Sequence, residues 1–173
     1  MPAPDPDQRR LARVLTIARV DGWSLIAVAG PAGLVSLFSR DLPSTLTAAG
    51  VTLCGLLELR GHARLRRREV SGLRWLIAAQ LSCLLFILGY VAVIVRAASA
   101  DHLLSLLPAF SKAQLEFLFP DPAELRFWFA ILTQLSAWLL AGLTLVYQGG
   151  LALYYARTRV AALRSFANPP VLP

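Results

Sequence analysis

The sequence predicts an all-α fold, a polytopic membrane protein built as a bundle of four transmembrane helices with both termini cytoplasmic. Three observations lead there. The chain is 57% hydrophobic and 16% charged, with a mean hydropathy of +0.60, whereas a soluble domain is about half apolar and a quarter charged. Its charges are clustered, leaving uncharged windows of 18, 16, 21 and 30 residues at 22–39, 42–57, 75–95 and 127–156. A ~30 Å hydrocarbon core takes about 20 helical residues, which these windows approach or exceed. Finally, the basic residues are unevenly shared. With four spans, one side carries thirteen arginines (Arg9, Arg10, Arg13, Arg19, Arg60, Arg64, Arg66, Arg67, Arg68, Arg74, Arg157, Arg159 and Arg164), and the other carries four basic residues, Arg40, Arg96, Lys112 and Arg126. By the positive-inside rule this predicts a plasma (bacterial inner) membrane protein, N-in and C-in.

Residues 1–22 read as a cytoplasmic tail followed by a basic amphipathic helix. Pro2, Pro4 and Pro6 predict disorder over Met1–Asp7. From Asp7 to about Val20, Leu11, Val14, Leu15 and Ala18 form an apolar stripe among arginines. Such a helix either lies on the membrane surface or extends the first span. The polar, basic start does not read as a cleavable signal peptide. Residues 23–59 form a hairpin of two spans. Gly30-Pro31 predicts a kink in the first. The second begins near Ser44 and reaches Glu58. Its 16 uncharged residues cover roughly 24 Å, so the pair is a tight spanning hairpin or a re-entrant one, and spanning is favoured.

Residues 60–74 read as an Arg-rich cytoplasmic loop and 75–96 as the third span. Residues 97–121 form an external amphipathic segment with two short helices, one over Asp101–Leu107 and one opening on a Ser111/Gln114 capping box and ending before Pro120. A long fourth helix follows over 122–165, with Asp121 as N-cap, Pro122 at the first position and Glu124 as the acidic partner. Its 30 uncharged residues make about 45 Å of helix, so it must tilt or protrude. Phe127, Trp128 and Phe129 suit one membrane interface, and Tyr154 and Tyr155 the other. Asn168-Pro169-Pro170 ends it, leaving 166–173 as a tail.

Chemistry-bearing patterns are few. His62 and His102 fall on opposite sides, so no metal site is expected from them. Cys54 and Cys83 sit in apolar runs without a C-x-x-C, which excludes a disulfide framework and the thiol chemistry of four-span quinone and vitamin K reductases. No metalloprotease, nucleophile-elbow, P-loop or dinucleotide glycine pattern occurs, and Arg96 with His102 is a chance R-x5-H spacing. Neither catalysis nor a cofactor is expected. The arginines Arg60, Arg64, Arg66, Arg67, Arg68 and Arg74 have no interleaved aromatic except Trp75, which argues against nucleic acid. They are read as topology signals and as contacts for anionic phospholipid of the bilayer or an acidic partner, at about 1 kcal/mol per basic residue near the surface.

Glu58 is the single acid at the edge of an apolar segment. The favoured reading pairs it with a nearby arginine such as Arg60. The other makes it a functional carboxylate facing the bundle interior. With Asp21 counted as a boundary charge, the spans hold no further ionisable acid or base, which argues against a charged proton relay. In the last span Gln134, Ala137, Ala141, Thr144 and Gln148 recur at heptad spacing, and Gln80, Cys83, Ile87 and Tyr90 do so in the third. Ala29-x-x-x-Gly33 and Ala78-x-x-x-Ser82 add small-residue contacts, and Gly149-Gly150 reads as a close packing point. These predict helix interfaces, or a pore lining if copies assemble. The function expected is non-catalytic: a helix bundle that assembles with itself or with a membrane-protein partner and contacts anionic lipid. The alternative is an oligomeric channel or carrier for a small or uncharged solute.

Overall fold

A computed structural model describes residues 6–97, 104 and 109–167, and these are helical apart from short turns. The helices are α1 (Pro6–Phe38), α2 (Leu42–Arg66), α3 (Ser71–Ala97), α4 (Ala109–Leu118) and α5 (Pro122–Ala167). No strand occurs among the described residues. Four helices, α1, α2, α3 and α5, are long and apolar enough to cross a membrane. The chain divides into two compact units, residues 1–87 with 144–173, and residues 88–143.

In the first unit, α1 is one unbroken helix of 33 residues that continues through Pro31. The basic segment before Val20 is thus an extension of the first apolar stretch and not a separate helix. Its stripe packs against other helices of the chain and does not lie free on a membrane surface. Val14 and Ala18 are fully buried with Leu65, Leu73, Leu76, Tyr155 and Ala162, and Leu11 and Leu15 pack at the edge. This apolar core lies at the arginine-rich end of the helices.

Two tight turns join α1 to α2 and α2 to α3, and they end their helices in the same way. Arg40 and Arg68 occupy the left-handed region, at φ 56° and 63°. Each is followed by a backbone N–H that reaches back five residues: Asp41 to the Ser36 carbonyl at 3.0 Å, and Glu69 to the Arg64 carbonyl at 3.1 Å. This closure satisfies orphan carbonyls, and glycine is its usual residue. Asp41 then caps α2, its carboxylate accepting from the Ser44 N–H at 3.2 Å, with Pro43 in the first turn. α2 therefore starts slightly before Ser44 and runs past Glu58 to Arg66. Most of the arginine-rich stretch is helix. Arg60, Arg64 and Arg66 lie on α2 and Arg74 on α3, so only residues 67–70 connect the two.

Glycines set how closely these helices approach. A Cβ on Gly55 would stand 2.8 Å from the Gly22 carbonyl oxygen and 2.9 Å from Ile26 Cγ1. A Cβ on Gly72 would stand 2.6 Å from the Gly61 carbonyl oxygen. Small residues of this kind let helix backbones approach closely. Ala29 is buried, and a Cβ on Gly33 would meet Ala48 Cβ at 3.1 Å, in line with the expected small-residue contact. Ala78 is exposed. α3 instead buries Leu73, Leu76, Ala79, Gln80 and Cys83.

In the second unit α4 begins at Ala109, so Ser111 lies inside its first turn and is not its cap. It exposes Phe110, Phe117 and Leu118. α5 opens as its sequence suggests, the Asp121 carboxylate accepting from the Ala123 N–H at 2.9 Å. The expected disorder before Asp7 lies mostly outside the described residues, as do His102, the Asp101–Leu107 piece except Leu104, and the Asn168-Pro169-Pro170 stop.

Gly55→Val should separate α1 from α2 and cost more than 2 kcal/mol by overpacking. Arg40→Gly should add about 1 kcal/mol by relieving left-handed strain. Both shifts are readable as changes in thermal midpoint of the detergent-solubilised protein.

Candidate functional site: two carboxylates on one amide

Asp21 directly precedes Gly22, and Glu58 follows Gly55 by less than one turn. The glycine contact therefore brings two acids face to face on adjacent helices. Both are buried, with 5% of Asp21 and 0% of Glu58 exposed. Gln80 of α3 bridges them. Its Nε2 donates to Asp21 Oδ2 at 2.9 Å and to Glu58 Oε1 at 2.7 Å. An amide has two N–H donors, and both are spent on the two carboxylates. α5 closes the cluster with two phenols, eight residues apart and so on one face of the helix. Tyr147 donates to Asp21 Oδ1 at 2.8 Å, and Tyr155 to Glu58 Oε1 at 3.1 Å. One polar cluster thus takes a side chain from each of α1, α2, α3 and α5.

Its donor count falls short of its acceptors. Among the described residues no hydrogen bond reaches Glu58 Oε2, Gln80 Oε1 or Gln148 Oε1, all buried. No arginine, lysine or histidine bonds to either carboxylate among the described residues. Arg60, the expected partner of Glu58, instead stacks on Trp75, its guanidinium carbon 4.9 Å from the ring centroid, with that of Arg64 at 5.3 Å. His62 turns to α1, its Nδ1 3.0 Å from the Leu15 carbonyl oxygen. The favoured ion-pair reading of Glu58 is corrected: the acid faces inward because α2 presents it on the same side as Cys54, Gly55 and Gly61, which are all buried. A second polar layer lies one turn further from the arginines. The thiols of Cys54 and Cys83 are buried there, and Gln148 Nε2 donates to Cys83 Sγ at 3.5 Å.

The heptad residues divide between the units. Gln80, Thr144 and Gln148 are buried in the first. In the second, Ala137 is buried, Ala141 half-buried and Gln134 exposed. Gly149 and Gly150 do not mark close packing, since no atom lies within 4 Å of where their Cβ would be. Arg66, Arg67, Arg68 and Arg74 are exposed at the arginine-rich end.

Sequence reasoning missed Asp21, Tyr147 and Tyr155. A signal for Asp21 existed. It continues the Val14, Ala18 stripe at helical spacing, so it belongs to the buried face of α1 and is not a boundary charge. The inference that the spans hold no second acid is thereby corrected. Tyr155 likewise follows Thr144 and Gln148 on the buried seam of α5. Comparison of the chain with protein families, with characterised proteins and with solved structures found no match.

Gln80→Leu should cost about 3 kcal/mol, because it strips both carboxylates of their common donor while keeping the volume. The cost should shrink in the triple variant that adds Asp21→Asn and Glu58→Gln, a coupling that a thermodynamic cycle in detergent measures.

Proposed function

We propose that this chain is an integral membrane protein that binds a monovalent cation, a proton or an alkali ion, at the Asp21–Glu58–Gln80 cluster, and that it belongs to the carrier class. One observation supports this above the others: two buried carboxylates and a buried amide oxygen converge with acceptors left over and no basic side chain bonded to them. An acid placed inside an apolar bundle is costly, and such groups face the interior and mark ion or proton pathways. A cation supplies the missing positive charge and coordinates the spare oxygens, and a single proton does the same by turning one oxygen into a donor.

Depth is consistent with the proposal. If the hydrocarbon layer begins at Leu42, the ~20 residues that cross it end near Gly61. Glu58 then lies about 5 Å inside the margin on the arginine-rich side. That side is the cytoplasmic one under the proposed N-in, C-in orientation in a bacterial inner membrane, which rests on the thirteen-to-four asymmetry in basic residues. Exposed Val28, Leu34, Val35, Leu46, Leu53 and Leu85 suit a lipid-facing surface.

A bound cation stabilises the folded state by mass action. Thermal midpoints of the purified protein should rise with sodium or potassium at fixed pH and ionic strength if an alkali ion occupies the cluster. They should rise with falling pH, indifferent to sodium, if a proton does. The Asp21→Asn/Glu58→Gln variant should lose the response, and proteoliposomes bearing it should lose cation flux. Equal responses in wild type and variant would reject the reading.

A further inference from the structure

A second site, independent of the carboxylate cluster, lies at the arginine-rich end of the first unit. A cavity of about 260 Å³ is lined by Gln8, Leu11, Ala12, Leu15, Leu65, Arg66, Arg68 and Phe166. Its walls come from α1, the end of α2 with its turn, and the end of α5. The lining residues are of two kinds: the apolar Leu11, Ala12, Leu15, Leu65 and Phe166, and two arginines, Arg66 and Arg68. Neither arginine forms an ion pair with a carboxylate among the described residues. The helices thereby sort the six clustered arginines. Arg60 and Arg64 are spent on Trp75, and Arg66 and Arg68 are the two given to the cavity.

Backbone geometry holds Arg68 there. Its left-handed φ of 63° and the closure behind it, with the Arg68 N–H donating to the Leu65 carbonyl at 3.0 Å, fix the turn. The depth under the proposed membrane placement also suits a lipid. If the hydrocarbon margin falls near Gly61, Arg66 lies five residues or about 7 Å further out. That is the headgroup layer, which adds about 5–7 Å on each side of the core. An amphiphile in that layer presents its phosphate to the arginines and its first methylenes to Leu11, Leu15 and Leu65. Small-molecule sites commonly span about 300–1,000 Å³, so this smaller cavity takes a phosphate and the upper part of a chain, not a whole two-chain lipid.

We propose that Arg66 and Arg68, with the apolar wall of Leu11, Leu15, Leu65 and Phe166, form a discrete binding site for an anionic phospholipid headgroup. Arginine suits this role because its planar fork binds phosphate oxygens in pairs.

The test is native mass spectrometry of the full chain in detergent, titrated with short-chain phosphatidylglycerol and with phosphatidylcholine of the same chain length. Wild type should retain one phosphatidylglycerol in preference to phosphatidylcholine. Arg66→Gln and Arg68→Asn should each weaken retention about fivefold, the factor for about 1 kcal/mol per basic residue; asparagine keeps the left-handed turn accessible. Arg60→Gln and Arg64→Gln should leave retention unchanged. Leu11→Trp, which fills the cavity without touching charge, should displace the lipid. Equal losses for all four arginines would overturn the proposal in favour of diffuse attraction, and unchanged retention in Leu11→Trp would overturn the cavity. Competition by inorganic phosphate at equal concentration would also overturn it, by assigning the site to a free anion.

Discussion

Everything in the first unit is arranged around a side-chain amide shared by two carboxylates. Gln80 places its two N–H groups on Asp21 and Glu58, and this single residue joins α1, α2 and α3. Buried carboxylates without donors are among the most costly features a fold can contain, so the amide and the two phenols of α5 constrain how all four helices meet. Non-directional apolar packing tolerates sliding of one helix along another. A hydrogen-bonded cluster does not, because a shift of one turn leaves several groups unpaired.

The glycines are part of the same arrangement. Asp21 and Glu58 have short reaches, and they share Gln80 only because α1 and α2 touch at Gly22 and Gly55. Below them, towards the arginines, Val14, Leu65, Leu73, Leu76 and Tyr155 form a dry apolar core. Tyr155 belongs to both layers, its ring buried in that core and its hydroxyl on Glu58. The apolar layer keeps water from the carboxylates on that side and raises the value of each remaining hydrogen bond. The proposed cation site and the proposed lipid site thus sit on opposite sides of one core, and each can be removed without altering the other's residues.

The arginines show how the same residue type serves several physical ends. Arg40 and Arg68 close turns in a conformation that glycine fills more easily. Arg60 and Arg64 lie over an indole, where a cation gains from the ring quadrupole. Arg66 and Arg68 line a half-apolar cavity. Counting charges predicts a sidedness for the whole set, but it treats the arginines as equivalent, and their contacts separate them.

By itself the sequence determined the all-helical class, the four apolar helices and the start of the last one. Those depend on local properties: runs without charge, the Asp121-Pro122 start, and the periodicity of Leu11, Val14, Leu15 and Ala18. The buried seam of α5 was partly legible for the same reason, since Thr144 and Gln148 share a face by spacing alone. Tertiary structure decided which charges are inside. Asp21 looks like the boundary of a span because it follows Arg19 and Val20, and Glu58 looks like the neighbour of Arg60. Helix rotation alone turns Asp21 and Glu58 inward and Arg60 onto Trp75. Nor does the spacing of Gln80 reveal that its amide faces two acids, 59 and 22 residues away. Long-range encounters of that kind depend on how closely α1, α2 and α3 pack, and the glycine contacts that set this distance become visible only when the helices are placed together.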